Sequence, residues 1–244
     1  EKAQIQPRHR TISALAAAEA VLDRKQKEAG AAVIDIGAGT TNIAVIEDGE
    51  IQHVAVIPMG SMHITNDLAI GLKTDLDVAE KVKVDHAVAV PSAHKNSSKK
   101  AVVKLGKTSY EFEIEDIDEI VDARLEEIFE LVQKELKSIG RAAQLPGGVV
   151  LTGGGALMPG IADYAKQALQ LSARVARPEG FGGVADQIDS PAFATATGLM
   201  LRDLSSQAHA APRTRGQDHG PSKIGDTVGS IAGKLTGIFS KFRS

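Results

Sequence analysis

One stretch restricts this chain more than any other: Val33-Ile34-Asp35-Ile36-Gly37-Ala38-Gly39-Thr40-Thr41-Asn42-Ile43-Ala44-Val45-Ile46. It reads as an apolar strand ending in a carboxylate, a tight glycine turn with hydroxyls, and a second apolar strand. Glycines without side chains let backbone N–H groups turn toward an anion and approach it closely. Thr40 and Thr41 add hydroxyl donors, and Asp35 at the strand end can hold a magnesium ion through water. A second glycine run, Thr152-Gly153-Gly154-Gly155, lies far along the chain.

Other phosphate-binding patterns fit less well. Gly37 to Asn42 spells G-x-G-x-x-N, so the third glycine of a dinucleotide fingerprint is missing. That fingerprint must also open a helix, whereas β-branched residues and an Asp48-Gly49 turn follow here, as in a hairpin. Gly106-Lys107-Thr108 has the tail of a Walker A loop, but Ala101 stands where its first glycine belongs. Its alternating flanks read as a second hairpin. The plainest alternative for Gly37 and Gly39 is hairpin closure alone.

Composition narrows the function classes. With 244 residues, 43% of them hydrophobic, the chain can bury one or two cores. A net charge of −3, with six Phe, two Tyr and no Trp, argues against a nucleic-acid partner. Cysteine is absent, so thiolate metal sites and disulfides are excluded, which suits a cytoplasmic setting. The seven histidines are scattered without zinc-helix spacing. The sequence starts at Glu1 rather than methionine, and we expect a fragment or processed product.

The periodicity predicts a helix over about Ile12–Glu28, stopped at Gly30. Strands are expected at Ala32–Ile36, Ile43–Glu47 and Ile51–Ile57, then helices over Ser61–Leu72 and from Asp75 to about Val84. A short strand at Ala87–Val90 and an exposed loop from Pro91 to Lys100 lead into a hairpin of Val102–Leu105 with Tyr110–Ile114. A long amphipathic helix follows, with Ile117, Ile120, Val121, Leu125, Ile128, Val132, Leu136 and Ile139 on one side. Then come a strand at Val149–Thr152, a helix over Pro159–Leu171, a strand at Ala173–Ala176 and a helix from Pro191 to Leu204.

Residues 205–222 lose nearly all apolar content and read as a flexible linker. In residues 223–244, Ile224, Val228, Ile231, Leu235, Ile238, Phe239 and Phe242 recur at steps of three and four, with Lys234 and Lys241 among the cations. Such a stripe behind a linker has no core of its own, and its basic bias favours an anionic membrane surface, at about 1 kcal/mol per nearby cation. Glycines at 225, 229, 233 and 237 weaken the helix in water, so it is expected to order on binding.

The order of these parts resembles the second half of the actin–chaperone–sugar kinase ATPase fold, and in particular the FtsA family of bacterial cell-division proteins. The resemblance rests on the Asp35–Asn42 hairpin, the helix carrying Ala79-Glu80-Lys81-Val82-Lys83, the strand ending in Leu151-Thr152-Gly153-Gly154-Gly155-Ala156, His63–Leu72, Ala192–Leu199, and the linker with its terminal helix. It spans about residues 12–244. It implies an α/β fold: an actin-like (ribonuclease H-like) ATPase lobe over residues 31–204, with a small α+β subdomain at about 86–140. Residues 1–30 would then be a residual helix of a first lobe that is otherwise largely missing.

The same resemblance implies the ligands. Gly37, Gly39, Thr40, Thr41 and Asn42 match the second phosphate loop, and Asp35 matches the carboxylate that holds Mg2+ through water. Gly153, Gly154 and Gly155 match the adenosine motif, while Glu80 and Lys83 match positions at the ribose and adenine of ATP. Ser13 stands where the superfamily often has an acid or glutamine to orient water, so at most a weak ATPase is expected. Arg124 matches a basic position for the C-terminal peptide of the tubulin-like protein FtsZ. The implied role is a division adaptor that polymerises with itself and tethers FtsZ filaments to the inner face of the cytoplasmic membrane at the septum. The alternatives are a small-molecule kinase or ATPase of the same fold, or a PilM- or MreB-like filament protein. The tail and linker favour the adaptor.

Overall fold

The computed structural model describes residues 10–91, 99–179 and 188–210. The expected linker from residue 211 onward and the whole amphipathic tail lie outside the described residues.

The frame is a five-stranded sheet of order β3-β2-β1-β6-β7. Here β1 is Ala31–Ile36, β2 Thr41–Glu47, β3 Glu50–Ile57, β6 Val149–Thr152 and β7 Ala173–Val175. β1, β2 and β3 form an antiparallel meander, and β6 and β7 add parallel to β1. Every residue of β1 is buried, because both sheet faces are covered. Ala32, Ile34 and Ile36 face one core with Ile43, Val45, Val149 and Leu151. Ala31 and Val33 face the other core with Ile46 and Val150. A run of five apolar or small residues around one carboxylate is what a strand between two helical layers requires.

The first face is covered by α3 (Ser61–Gly71), α4 (Leu76–His86), α5 (Ile114–Ser138) and α6 (Ile161–Leu169). Of these, α5 is the longest at 25 residues, roughly 37 Å at 1.5 Å per residue. Of the eight residues its periodicity set on one side, Ile117, Val121, Leu125, Ile128, Val132 and Leu136 are buried and Ile120 and Ile139 are half-buried, while Phe129, outside that set, is buried too. A separate two-stranded hairpin, β4 (Lys100–Leu105) with β5 (Thr108–Glu113), packs on α4 and α5 through Ala101 and Val103. Gly106 takes a φ of +60° in its turn, so the Gly106-Lys107-Thr108 segment is a hairpin turn.

The second face is covered by α1 (Ser13–Val21) and α7 (Ala194–Ala210). Here small residues decide the packing. A Cβ on Gly198 of α7 would lie 1.7 Å from the carbonyl oxygen of Ala16, while Ala14, Ala16, Ala17 and Ala18 are all buried.

Several elements depart from expectation. The helix expected over Ile12–Glu28 is two helices. Leu22 is extended, and Asp23 starts α2 (Arg24–Ala29) with a capping box in which Gln26 N–H donates to Asp23 Oδ1 at 2.8 Å. The D-x-x-Q pattern that signals this lies inside an otherwise continuous apolar period. Ala87–Val90 is not a strand. Ala87, Val88 and Ala89 are buried, and Ala89 N–H donates to Pro159 O at 2.8 Å, but no ladder forms. The last helix continues six residues into the expected linker, to Ala210. The helix expected from Pro159 starts at Ile161.

Replacing Gly198 with alanine forces α1 and α7 apart at their closest approach. We expect a loss of about 2–3 kcal/mol, the upper range for overpacking, read as a lower urea midpoint at unchanged m-value. The same substitution at Gly106 would leave neighbouring side chains undisturbed, since a Cβ there meets nothing within 4 Å, and is limited to the φ penalty.

Candidate nucleotide-binding edge

Parallel pairing of β1 with β6 places Asp35 opposite Thr152. The turn after each strand therefore emerges at the same edge of the sheet. One turn carries Gly37 to Thr40, the other Gly153 to Gly155. Two glycine bends 116 positions apart in sequence, counted from Gly37 to Gly153, share one rim.

The glycines of this rim divide into two kinds. Gly153 has a φ of +85°, and a Cβ on it would sit 2.4 Å from Asp35 Oδ1 and 2.5 Å from Ile36 O. Gly155 would strike Ile36 Cγ2. These two are required by the close approach of the β6 turn to β1. Gly39 and Gly154 are different. Both are exposed, neither has a positive φ, and a Cβ on either meets nothing within 4 Å. Nothing inside the fold demands glycine there, and the absent side chains leave open backbone on the rim.

The first turn is held from below. Gly37 N–H donates to Thr40 O at 2.9 Å, closing the hairpin. The start of α3 then grips it, with Ser61 N–H on Gly37 O and Met62 N–H on Ala38 O, each at 2.9 Å. Gly60 permits that contact, since its Cβ would lie 2.5 Å from Gly37 O. Asn42 Nδ2 donates to Thr40 Oγ1 at 3.3 Å, leaving Thr40 as the hydroxyl on the loop. Thr41 departs from expectation. It is fully buried, and its hydroxyl donates to Met59 O at 2.8 Å, so it braces the turn before α3 and presents no hydroxyl to the rim. Its position on β2 made this inevitable: paired with Ile36, it points into the layer between strand and helix.

Asp35 is buried to 9% exposure. Burial pushes its carboxyl above the usual carboxylate range, opposed by the hydroxyl of Thr195, which donates to Oδ2 at 2.8 Å. Thr195 lies on α7, and no sequence signal connected it to Asp35. Pro191 O, just before α7, accepts from Thr152 Oγ1 at 3.0 Å and from Gly153 N–H at 3.1 Å. The C-terminal helix thus anchors both bends. Among the described residues no three His, Asp or Glu side chains converge as a metal cage. A single carboxylate suits magnesium that keeps most of its water, since Mg2+ dehydrates reluctantly.

Glu80 and Lys83 pair at 2.7 Å on α4. They are not a solvated pair standing alone. Lys83 Nζ also donates to Ser61 O at 3.2 Å and Thr65 Oγ1 at 2.8 Å, and Thr65 donates to Glu80. Burial works against the charge on Glu80, but the bonds from Lys83 and Thr65 outweigh it and hold the carboxyl below its ordinary value. Through Ser61 this cluster reaches the residue that grips the Gly37 turn.

Arg124 lies elsewhere, on α5. It makes a bidentate contact with Asp67 of α3, Nε to Oδ2 at 2.6 Å and Nη2 to Oδ1 at 2.9 Å, and reaches Glu127 at 2.6 Å. The Asp67 hydrogen bonds raise the guanidinium pKa further. Of the acidic neighbours visible along α5, Glu127 is a partner, while Asp122 faces the other way and accepts from Tyr164.

A family model described as cell division protein FtsA matches residues 32–198 of this chain. The chain belongs to the FtsA family. FtsA of Neisseria meningitidis serogroup B is 39% identical over 191 residues, covering 78% of this chain and 46% of that protein. FtsA of Bacillus subtilis is 38% identical over 202 residues, covering 82% and 44%. The chain therefore spans about half the length of the FtsA relatives it matches. Among solved structures, MreB5 of Spiroplasma citri bound to ADP superposes with a TM-score of 0.65 at 20% identity, covering 81% of this chain and 60% of that one. The PilM–PilN type IV pilus biogenesis complex gives 0.55 at 21% identity, covering 78% and 50%. These likenesses establish an actin-like fold for this FtsA-family lobe.

The raised pKa of Asp35 has a consequence for stability. The folded state holds the Asp35 proton more tightly than the unfolded chain does, so the fold loses stability as pH rises through the window above the ordinary carboxylate value. Asp35→Asn should melt above the unsubstituted chain at pH 7, and the difference should shrink as the pH is lowered toward the ordinary carboxylate range. Differential scanning fluorimetry across pH checks this.

Proposed function

We propose that the rim formed by the β1 and β6 turns binds ATP with Mg2+, and that the chain is the C-terminal part of a division adaptor that links FtsZ filaments to the cytoplasmic face of the membrane. The observation that supports the nucleotide site is the pair of open glycines, Gly39 and Gly154, on one edge. The residues fit the ligand. Gly37, Gly39 and Thr40 offer N–H and hydroxyl donors to phosphate. Gly154 exposes flat backbone to the adenosine, on a turn that Gly153 and Gly155 let lie close to β1, and Glu80 with Lys83 reaches the ribose and base from α4. Asp35, oriented by Thr195, would hold magnesium through water. That ion would neutralise phosphate charge, and this chain contributes position rather than a catalytic base. Ser13 has no carboxylate for water activation, which fits at most weak hydrolysis.

A cleft of this fold closes between two lobes, and this chain supplies one. Binding by the chain alone should be weaker than micromolar. At millimolar MgATP, amide shifts should concentrate at Gly39 and Gly154. Gly39→Ala and Gly154→Ala should keep the melting temperature within a degree or so, because surface changes away from strained backbone are usually small, yet remove those shifts. Shifts that survive both substitutions, or that fall on another surface, contradict the site.

The FtsZ reading rests on Arg124. The groove of about 320 Å3 beside it, between α3 and α5, is lined by Asp67, Ile70, Ile120 and Glu127. Its apolar floor and charged rim suit a short peptide with an acidic group that would share the guanidinium with Asp67. Arg124→Glu sets three carboxylates together and should abolish binding of the FtsZ C-terminal peptide by fluorescence anisotropy. Unchanged affinity would remove Arg124 from the contact.

The membrane reading rests on the sequence of residues 223–244. No helix among the described residues is long and apolar enough to cross a bilayer, and the proposed attachment is peripheral, through an in-plane amphipathic helix. Deleting residues 223–244 should abolish co-flotation with vesicles containing anionic lipid, and high salt should weaken it. Equal flotation of both chains would discard the idea. Self-association into filaments is proposed as well, supported by the likeness to actin-like proteins.

A further inference from the structure

A second groove, of about 660 Å3, lies between α5 and α6 and shares no residue with the Arg124 groove. Its floor is aromatic. Phe129 is fully buried, and the ring of Tyr164 lies 5.4 Å from it at 43°. Tyr164 is held by Asp122, and burial together with that carboxylate pushes its phenol pKa up. The floor is therefore rigid and neutral.

Two features of the wall are unexplained by the fold. Gln133 Oε1 is buried without a hydrogen-bond partner, and among the described residues it is the one buried side-chain polar atom in that condition. Such an atom normally finds a donor. The wall is also charged in order. Along α5, Glu126 and Glu130 come first, then Lys134 and Lys137, all exposed and all lining the groove. From 126 to 137 the wall extends roughly 16 Å, at 1.5 Å per residue. A small ligand would meet one pole of that wall, whereas a polypeptide segment would meet both.

We propose that this groove docks an amphipathic helix of about three turns from a partner protein, lying antiparallel to α5. In that orientation its first turn lies over Lys134 and Lys137 and its last turn over Glu126 and Glu130. Acidic residues in the first turn and basic residues in the last match this wall. They also match the helix's own macrodipole, which favours anions at its N-terminus and cations at its C-terminus. A central leucine or phenylalanine covers the Phe129–Tyr164 floor, and a neighbouring side-chain N–H satisfies Gln133 Oε1. The inference is independent of the nucleotide and FtsZ readings, because none of its residues belongs to either site.

The test uses two synthetic helical peptides of equal composition, each with a central leucine and an adjacent glutamine. One has glutamates in the first turn and lysines in the last; the other has the reverse. Amide shifts at Tyr164 report on the floor, and those at Gln133, Lys137 and Gln167 report on the walls. The acid-first peptide should bind and move these signals, and the base-first peptide should bind at least about tenfold more weakly. The fourfold exchange Glu126→Lys, Glu130→Lys, Lys134→Glu, Lys137→Glu keeps every change on exposed positions and should invert the preference. Absence of binding by both peptides, equal affinity for the two, or shifts outside the groove overturns the proposal. Concentration-dependent self-association of the chain that the fourfold exchange abolishes would assign the groove to a second copy instead, and would overturn it as well.

Discussion

The parallel pairing of β1 with β6 is the contact on which the rest depends. It is a four-residue register, Ala32 with Val149 through Asp35 with Thr152. Parallel strands need a crossover, and here that crossover holds the meander, α3, α4, the β4–β5 hairpin and α5. The pairing brings the ends of two distant segments to one rim and forces the turn after β6 against β1 so tightly that Gly153 and Gly155 can carry no side chain. A register slip of one residue would turn Asp35 away from Thr195 and present a different side chain to the rim.

Around that pairing, the two helical layers act differently. On one face α3 reaches up to the Gly37 turn with two backbone bonds, and its far end holds Arg124 through Asp67. On the other face Thr195 of α7 reaches Asp35 at the end of β1, and Pro191, just before α7, accepts from Gly153 N–H. The glycine rim is thus supported from both layers. Asp35 pays in stability for its place there: burial opposes its charge, and one hydroxyl only partly offsets that. A carboxylate kept against its own solvation marks a candidate site.

Much of this was legible from the residues. Strand–turn–strand at Val33–Ile46 follows from β-branched runs around Gly-Ala-Gly, and the amphipathic period of α5 marks most of its buried face, though not Phe129. The family was legible because several weak motifs stand in a fixed order. What misled was local. The apolar period over Ile12–Glu28 hides the cap at Asp23, because periodicity reports which face is buried and not whether the axis continues. Ala87–Val90 has strand composition, but its backbone bonds go to a loop at Pro159. Thr41 looks like a phosphate donor beside Thr40, yet alternation along β2 sends its hydroxyl inward.

By itself the sequence determined the elements, the glycine bends and the family, since these depend on neighbours within a few residues or on a pattern read along the chain. Only the tertiary structure decided which glycines are demanded by packing and which stand open, that Thr195 anchors Asp35, that Asp67 holds Arg124, and that Gln133 faces a groove with an unmet acceptor. Each of those depends on two side chains or backbones far apart in sequence coming within bonding distance. Hydrogen bonds and steric exclusion act over a few ångströms of space, whatever the number of residues between the partners.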